Sequence, residues 1–330
     1  IKDKYIFGDY ISGRVWALGY DPSSGDATSE LLFRTNGQYI SSFGLDETGE
    51  LYFSDYGTSS KLYKIIGGNN GPQTIAVNGV GDWYGMGEGT NGTVNAMTAT
   101  SDDAIVVAGG FTAAGNMAPS NIALYDPDLG WNELANGANG DIKSVAIDSE
   151  GNVFVGGDFT QIGGIPANNI ALWSGSWSAL GQGTNGPVSS IAIAPDNKVY
   201  VGGTFEMAGG TTVNNIALWS DGSWLPLTDA TTGTAGTNNE VRAISIDQSG
   251  HIYIGGNFDS AGGESAPRIA VWDGTDWSTL GQGTSGFVQA IAITQEHVYA
   301  GGNFAIAGNN TVNRIARWDR TSMLWEAMGQ

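Results

Sequence analysis

Cysteine is missing from all 330 residues, which excludes a disulfide framework, a thiolate nucleophile and any cysteine-based zinc or iron–sulfur site. Histidine is almost as scarce, at His251 and His297 alone, so imidazole chemistry has little material to work with. Bases are few: 13 Lys and Arg stand against 33 Asp and Glu, a formal charge of -20. A chain this acidic repels a phosphate backbone and an anionic lipid surface, so nucleic acid is excluded as a partner. No apolar run approaches the roughly 18 residues of a membrane-spanning helix, and no membrane insertion is expected. There is no helical period, no phosphate loop, no HExxH pair and no Ser/His/Asp spacing, and no residue is assigned as catalytic. The opening Ile1-Lys2-Asp3-Lys4 is not a signal peptide, and without an initiator Met the chain reads as excised or processed from something longer.

Glycine, in contrast, is abundant, 52 of 330 residues, about twice the usual share. Much of it falls in a repeat. Val155-Gly156-Gly157-Asp158-Phe159 recurs as Val201-Gly202-Gly203-Thr204-Phe205, Ile254-Gly255-Gly256-Asn257-Phe258 and Ala300-Gly301-Gly302-Asn303-Phe304, with a shorter copy from Ala108 to Phe111. An Ile-Ala-Leu-Trp type segment follows each copy, and after it a further tryptophan: Trp131, Trp177, Trp224, Trp277 and Trp325 continue a series begun at Trp83 with spacings of 48, 46, 47, 53 and 48. Within a unit, residues 188–193, 198–201, 215–219 and 224–227 have strand character and are separated by Gly, Asn and Asp turns. Four strands every 46 to 53 residues predict an all-β fold, a β-propeller of four-stranded antiparallel blades. The glycine pair is read as easing a crowded strand near the propeller axis, and the Phe and Trp as packing between blades.

Residues 40–55 keep the grammar of the repeat, and residues 5–10, 14–20 and 30–33 read as three strands of a blade whose innermost strand is absent. At about 48 residues per unit, 330 residues correspond to seven blades, the first incomplete. The expected organisation is one propeller over 1–330, with divergent blades in 1–78 and five regular repeats in 79–330. The alternative divides the chain into the remnant of a preceding propeller, 1–74, and a separate propeller, 75–330. The incomplete blade would be closed by residues 325–330 or by a strand from another copy, giving a homo-oligomer.

Two resemblances arise from these motifs. Residues 83–330, with their Gly-Gly-x-Phe segments, resemble the propeller repeats of secreted and surface-anchored bacterial proteins and of fungal cortical polarity markers. That likeness implies an extracellular or cell-surface location and no reaction. Residues 5–66, through Gly8-Asp9-Tyr10-Ile11-Ser12-Gly13-Arg14-Val15-Trp16 and Phe43-Gly44-Leu45-Asp46, resemble the C-terminal blades of soluble glucose/sorbosone dehydrogenases, which implies pyrroloquinoline quinone and calcium. Under that likeness Arg14 is the cofactor-binding candidate. Read from the residues alone, an arginine beside Asp9 and stacked on Trp16 is more often a structural device.

Calcium, which needs several converging oxygens, is the one ion considered, with Asp46, Glu47 and Glu50 around one turn as its candidates. His251 and His297 precede an inner-strand tyrosine at turn positions and are read as solvated. The tryptophans recur in every unit and are read as core. Ligand binding is assigned to the segments that vary between units, residues 112–120, 161–169, 206–214, 259–268 and 305–314. Their candidates are Asn116, Asn168, Asn169, Asn214, Asn215, Arg268 and Arg314, for a glycan or protein at one propeller face. The expected function is non-catalytic binding, adhesion or extracellular assembly. The alternative is the tail of a quinoprotein sugar dehydrogenase.

Overall fold

The computed structural model describes residues 86–328 in full and, before them, the backbone of seven strands between Lys4 and Gly85. The fold is a β-propeller built from antiparallel sheets. Among the described residues, the strands Lys4–Asp9, Arg14–Asp21 and Asp26–Arg34 form a three-stranded first sheet, and six four-stranded sheets follow, in line with the expected seven. The chain divides into two compact units within the regular repeats, residues 1–142 and 143–328.

In the first unit, Tyr39–Leu45 opens the second sheet and packs beside Thr93–Ala99, which opens the third. Its described core is Met86, Val94, Met97, Ile105, Val107, Phe111 and the small Ala114 and Ala123. The second unit holds the fourth to seventh sheets. Taking the sixth as the pattern, Val241–Ile246, Ile252–Gly256, Ile269–Trp272 and Trp277–Thr279 lie side by side in chain order. The opening strands Val188–Ile193, Val241–Ile246 and Val288–Ile293 of successive sheets pack against one another and are therefore the inner strands.

The glycine pair belongs to the second strand, next to the innermost. The pair is required by crowding. A methyl on Gly255 would lie 2.5 Å from Val288 Cγ1 of the next sheet, and one on Gly256 would lie 2.1 Å from the carbonyl oxygen of Glu240, which precedes its own inner strand. The inner edge is satisfied by serines of the neighbouring inner strand: Ile191 N donates to Ser144 Oγ at 3.0 Å, Ile244 N to Ser190 Oγ at 3.1 Å, and Ser245 Oγ to the Ile291 carbonyl at 2.9 Å.

Between sheets the tryptophans fill the core as expected and also bond. Trp224 Nε1 donates to the Leu180 carbonyl at 2.9 Å, Trp277 Nε1 to Leu227 at 3.1 Å and Trp325 Nε1 to Leu280 at 2.7 Å, so each outer strand is tied to the end of the preceding one. Of the C-terminal segment, Leu324–Ala327 is the fourth strand of the seventh sheet, paired with Ile315–Asp319.

Candidate functional site

The connection between the second and third strands folds, in each repeat of the second unit, into a miniature hairpin. Its rungs are Gln161–Ile162 with Ile165–Pro166, Met207–Ala208 with Thr211–Thr212, Ser260–Ala261 with Glu264–Ser265, and Ile306–Ala307 with Asn310–Thr311. Gly163-Gly164, Gly209-Gly210 and Gly262-Gly263 turn through positive φ at both positions, the geometry of a tight two-residue hairpin loop. The inward residues Ile162, Ala208, Ala261 and Ala307 are buried. Their partners Gln161, Met207 and Ile306 point to solvent, and Met207 and Ile306 are among the exposed large apolar side chains.

These hairpins are held by the loop that enters each inner strand. Asn185 Oδ1 accepts from the backbone N–H of Glu206 at 3.0 Å and of Met207 at 2.9 Å. Asn238 Oδ1 does the same for Asp259 and Ser260, and Ser285 Oγ for Ala305 and Ile306. The preceding threonine is buried and turns its hydroxyl onto its own loop, as from Thr184 Oγ1 to the Gly186 carbonyl at 2.8 Å. The Gly-Thr-Asn-Gly segments were visible in the sequence, but their role as hairpin clamps was not.

The ligand candidates fall on this face and are largely engaged in holding it. Asn168 Nδ2 donates to the Gln182 carbonyl, Asn169 Nδ2 to Thr184, Asn214 Nδ2 to Ala235 and Asn215 Nδ2 to Thr237, at 2.9–3.0 Å. Asn169, Asn215, Arg268 and Arg314 occupy one equivalent position, before the third strand, and all have φ between 64° and 69°. Arg268 Nη1 bonds the Asn257 carbonyl and Asp259 Oδ1, both at 3.1 Å, and Arg314 Nη1 bonds Asn303 Oδ1 at 2.7 Å. Asn116, in the first unit, is exposed.

Arg242 completes this end of the sixth sheet. It sits in the bulge between Val241 and Ala243, its Nε on Glu240 Oε2 at 2.8 Å and its Nη1 on Gln289 Oε1 of the next sheet at 3.0 Å. Its guanidinium lies 4.4 Å over the Phe287 ring.

The opposite ends of these sheets carry the turns between first and second, and between third and fourth, strands. Acids collect there. Asp247 is buried and accepts from Ser249 N and His251 N at 2.9 Å, from His251 Nδ1 at 3.0 Å and from Arg320 Nη2 of the seventh sheet at 2.5 Å. Burial pushes the Asp247 carboxyl up, but the bonds from His251 and Ser249 outweigh it and leave its pKa below the ordinary value. Backbone bonds from Asp276 and Thr275 hold Asp273 down, as those from Ser322 and Thr321 hold Asp319, while the Lys198 ammonium lowers Asp196. A cleft of about 310 Å³ between the first turns of the sixth and seventh sheets is lined by Asp247, Ser249, Thr294, Gln295 and Arg320 among others.

One expectation is revised by this face and one is not. His251 is a partly exposed turn residue, as read, but bonded to Asp247. His297 is not solvated: it opens the strand His297–Gly302, is buried, and sits with Nε2 3.7 Å from Asp319 Oδ2. Asp148, at the turn position that Asp46 occupies in its own repeat, spends both carboxylate oxygens on Glu150 N, Asn152 N and Asn152 Nδ2. Asp46, Glu47 and Glu50 themselves, and the Arg14 side chain, lie outside the described residues. Among the described residues no group of three or more His, Asp or Glu is disposed to hold a metal ion.

Residues 227–330 match the family described as the Rax2 C-terminal beta propeller domain, and residues 194–223 match a β-propeller domain of unknown function. Among solved structures, the chain is similar to the WD40 β-propeller domain of Doa1, at 14% identity and a TM-score of 0.56, covering 91% of this chain and 86% of that one. It is similar to a chain of the mitotic checkpoint complex at 13% identity and TM-score 0.55, covering 90% of this chain and 81% of that chain. It is also similar to PorZ, a surface component of the type-IX secretion system of Porphyromonas gingivalis, at 12% identity and TM-score 0.53 over 100% of this chain and 48% of that chain. At these identities the likeness is one of fold. The dehydrogenase resemblance of residues 5–66 has no counterpart in these family matches.

Proposed function

We propose that this chain is a non-catalytic binding propeller of a secreted or cell-surface protein, engaging its partner through the hairpin face. The observation that supports the reading is the contrast within each hairpin. The inward rung and the clamp are alike from repeat to repeat, whereas the outward residue changes from Gln161 to Met207, Ser260 and Ile306. A rigid frame presenting variable tips loses little conformational entropy on association, which is the arrangement binding surfaces favour. The acidic turn face fits a role in solubility and in steering of partners.

The test is to display the full chain against arrays of cell-surface proteins and cell-wall glycans, and then to repeat any positive with Met207→Asp and Ile306→Asp. Binding that these substitutions weaken at least about tenfold, with an unchanged circular dichroism spectrum, supports the hairpin face. Retained binding places the contact elsewhere. Dye reduction by aldoses on addition of pyrroloquinoline quinone and calcium would overturn the non-catalytic reading.

A further inference from the structure

The hairpin ends of the sixth and seventh sheets carry a run of three arginines in a molecule otherwise poor in bases. Between residues 83 and 240 the only bases are Lys143 and Lys198. The arginines belong to one connected network. Arg268 holds the Asn257 carbonyl, Asn257 N donates to the Glu240 carbonyl at 2.9 Å, and Glu240 holds Arg242. Arg242 reaches across to Gln289 and lies over Phe287, Asn303 N donates to the Phe287 carbonyl, and Asn303 holds Arg314. Each guanidinium is thus fixed by one or two nitrogens, and the Nη2 of each has no partner among the described residues.

Position 268 and position 314 also break the rule of their own repeat. The equivalent residues Asn121, Asn169 and Asn215 have φ of 68°, 65° and 68° and donate their amides to the carbonyls of Ala138, Thr184 and Thr237. Asparagine tolerates that left-handed conformation. Arginine does so only at a cost of the order of 1 kcal/mol, and it gives up the amide clamp as well. A long, pre-aimed cation stands where the fold prefers a short amide.

We infer that Arg242, Arg268 and Arg314 form a recognition site for carboxylates of an acidic polypeptide segment that also carries apolar side chains. The inference rests on the hairpin face being the binding surface. A planar guanidinium with a free edge matches a carboxylate in geometry and charge. The exposed Met207 and Ile306, in the hairpins of the fifth and seventh sheets, favour a peptide with Leu- or Phe-like residues over a polyhydroxylated sugar.

The experiment uses the full chain and a displayed library of random dodecapeptides, with oligogalacturonate as the competing carboxylate source. The variant is Arg268→Asn/Arg314→Asn, which restores the residue used in three sister repeats and so keeps the fold. Expected are peptides enriched in Asp or Glu beside large apolar residues, affinity falling several-fold between about 50 and 500 mM salt, and a loss of at least about tenfold in the double variant. The Lys198→Ala control, on the turn face, leaves binding unchanged. Selected peptides that are neutral, a double variant that binds as before, or preference for oligogalacturonate would each overturn the proposal. So would head-to-tail self-association in light scattering that the double variant abolishes, since the occupant would then be a second copy. If Met207→Asp and Ile306→Asp abolish binding while the arginine variant does not, the binding face stands and the carboxylate site falls. If no peptide or surface protein binds at all, both fall.

Discussion

Arg268 shows how one residue can be read two ways. In the sequence it is a cation in a variable segment, a natural candidate for a ligand contact. In the structure it is first a backbone position at φ 69°, shared with Asn121, Asn169, Asn215 and Arg314. Replacing it with asparagine removes left-handed strain and offers the amide bond that the sister asparagines make, in exchange for the bond to the Asn257 carbonyl and a pair with the exposed Asp259, which is worth little. Arg268→Asn is therefore expected to stabilise the protein by about 0.5–1 kcal/mol, seen by calorimetry as a rise of about 1–2 °C in melting temperature. A fall in melting temperature would show that the guanidinium network, and not the backbone, dominates at this site. The position was legible as important from its sequence alone. That its importance is in part conformational was not, because φ is a property of the turn and not of the residue type.

At the scale of the element, the hairpins and the tryptophan ties make separate demands. Asn185→Ala removes the acceptor for Glu206 N and Met207 N at an exposed site, where water can replace it. The expected cost is about 1 kcal/mol, with amide exchange accelerating at Glu206 and Met207 and not in the strand Val199–Gly203. Uniform acceleration through the sheet would mean that the clamp is part of the core. Trp224→Phe keeps most of the ring but leaves the Leu180 carbonyl without its buried donor, and denaturant unfolding should show a loss of about 2 kcal/mol. An unchanged midpoint would show that packing alone holds the sheets together. The recurrence of tryptophan was readable as core, but the indole donor to the preceding sheet was not, since its partner lies 44 residues away in the chain.

For the whole molecule, the governing quantities are the charge of -20 and the lowered carboxyls of the turn face. Asp247 has a folded pKa below its unfolded value, so its contribution is complete above the unfolded value, near 4, and is lost as the pH falls through the folded one. Asp196, Asp273 and Asp319 carry the same sign. Stability measured by urea denaturation should accordingly stay level from about pH 7 to 5 and decline below about pH 4, although protonation also relieves charge repulsion over that range. Arg320→Ala, which unties the seventh sheet from Asp247, should lower stability at pH 7 and make the acid decline shallower. An acid limb identical to that of the parent protein would show that Arg320 does not help to hold the Asp247 carboxyl down.

Repetition, spacing and composition determined by themselves that this is an all-β chain of propeller blades and that aromatic residues make its core. Those features are legible because they are local and repeated, so that each copy confirms the last. The tertiary structure alone decided which neighbours crowd the glycine pair and that His297 is buried. It also decided that the candidate asparagines spend their amides on carbonyls of a neighbouring loop, and that three arginines distant in the chain share one network. Each of these depends on contacts between sheets, where a partner lies about 20 to 70 residues away and no local pattern records which side chain will meet which backbone group.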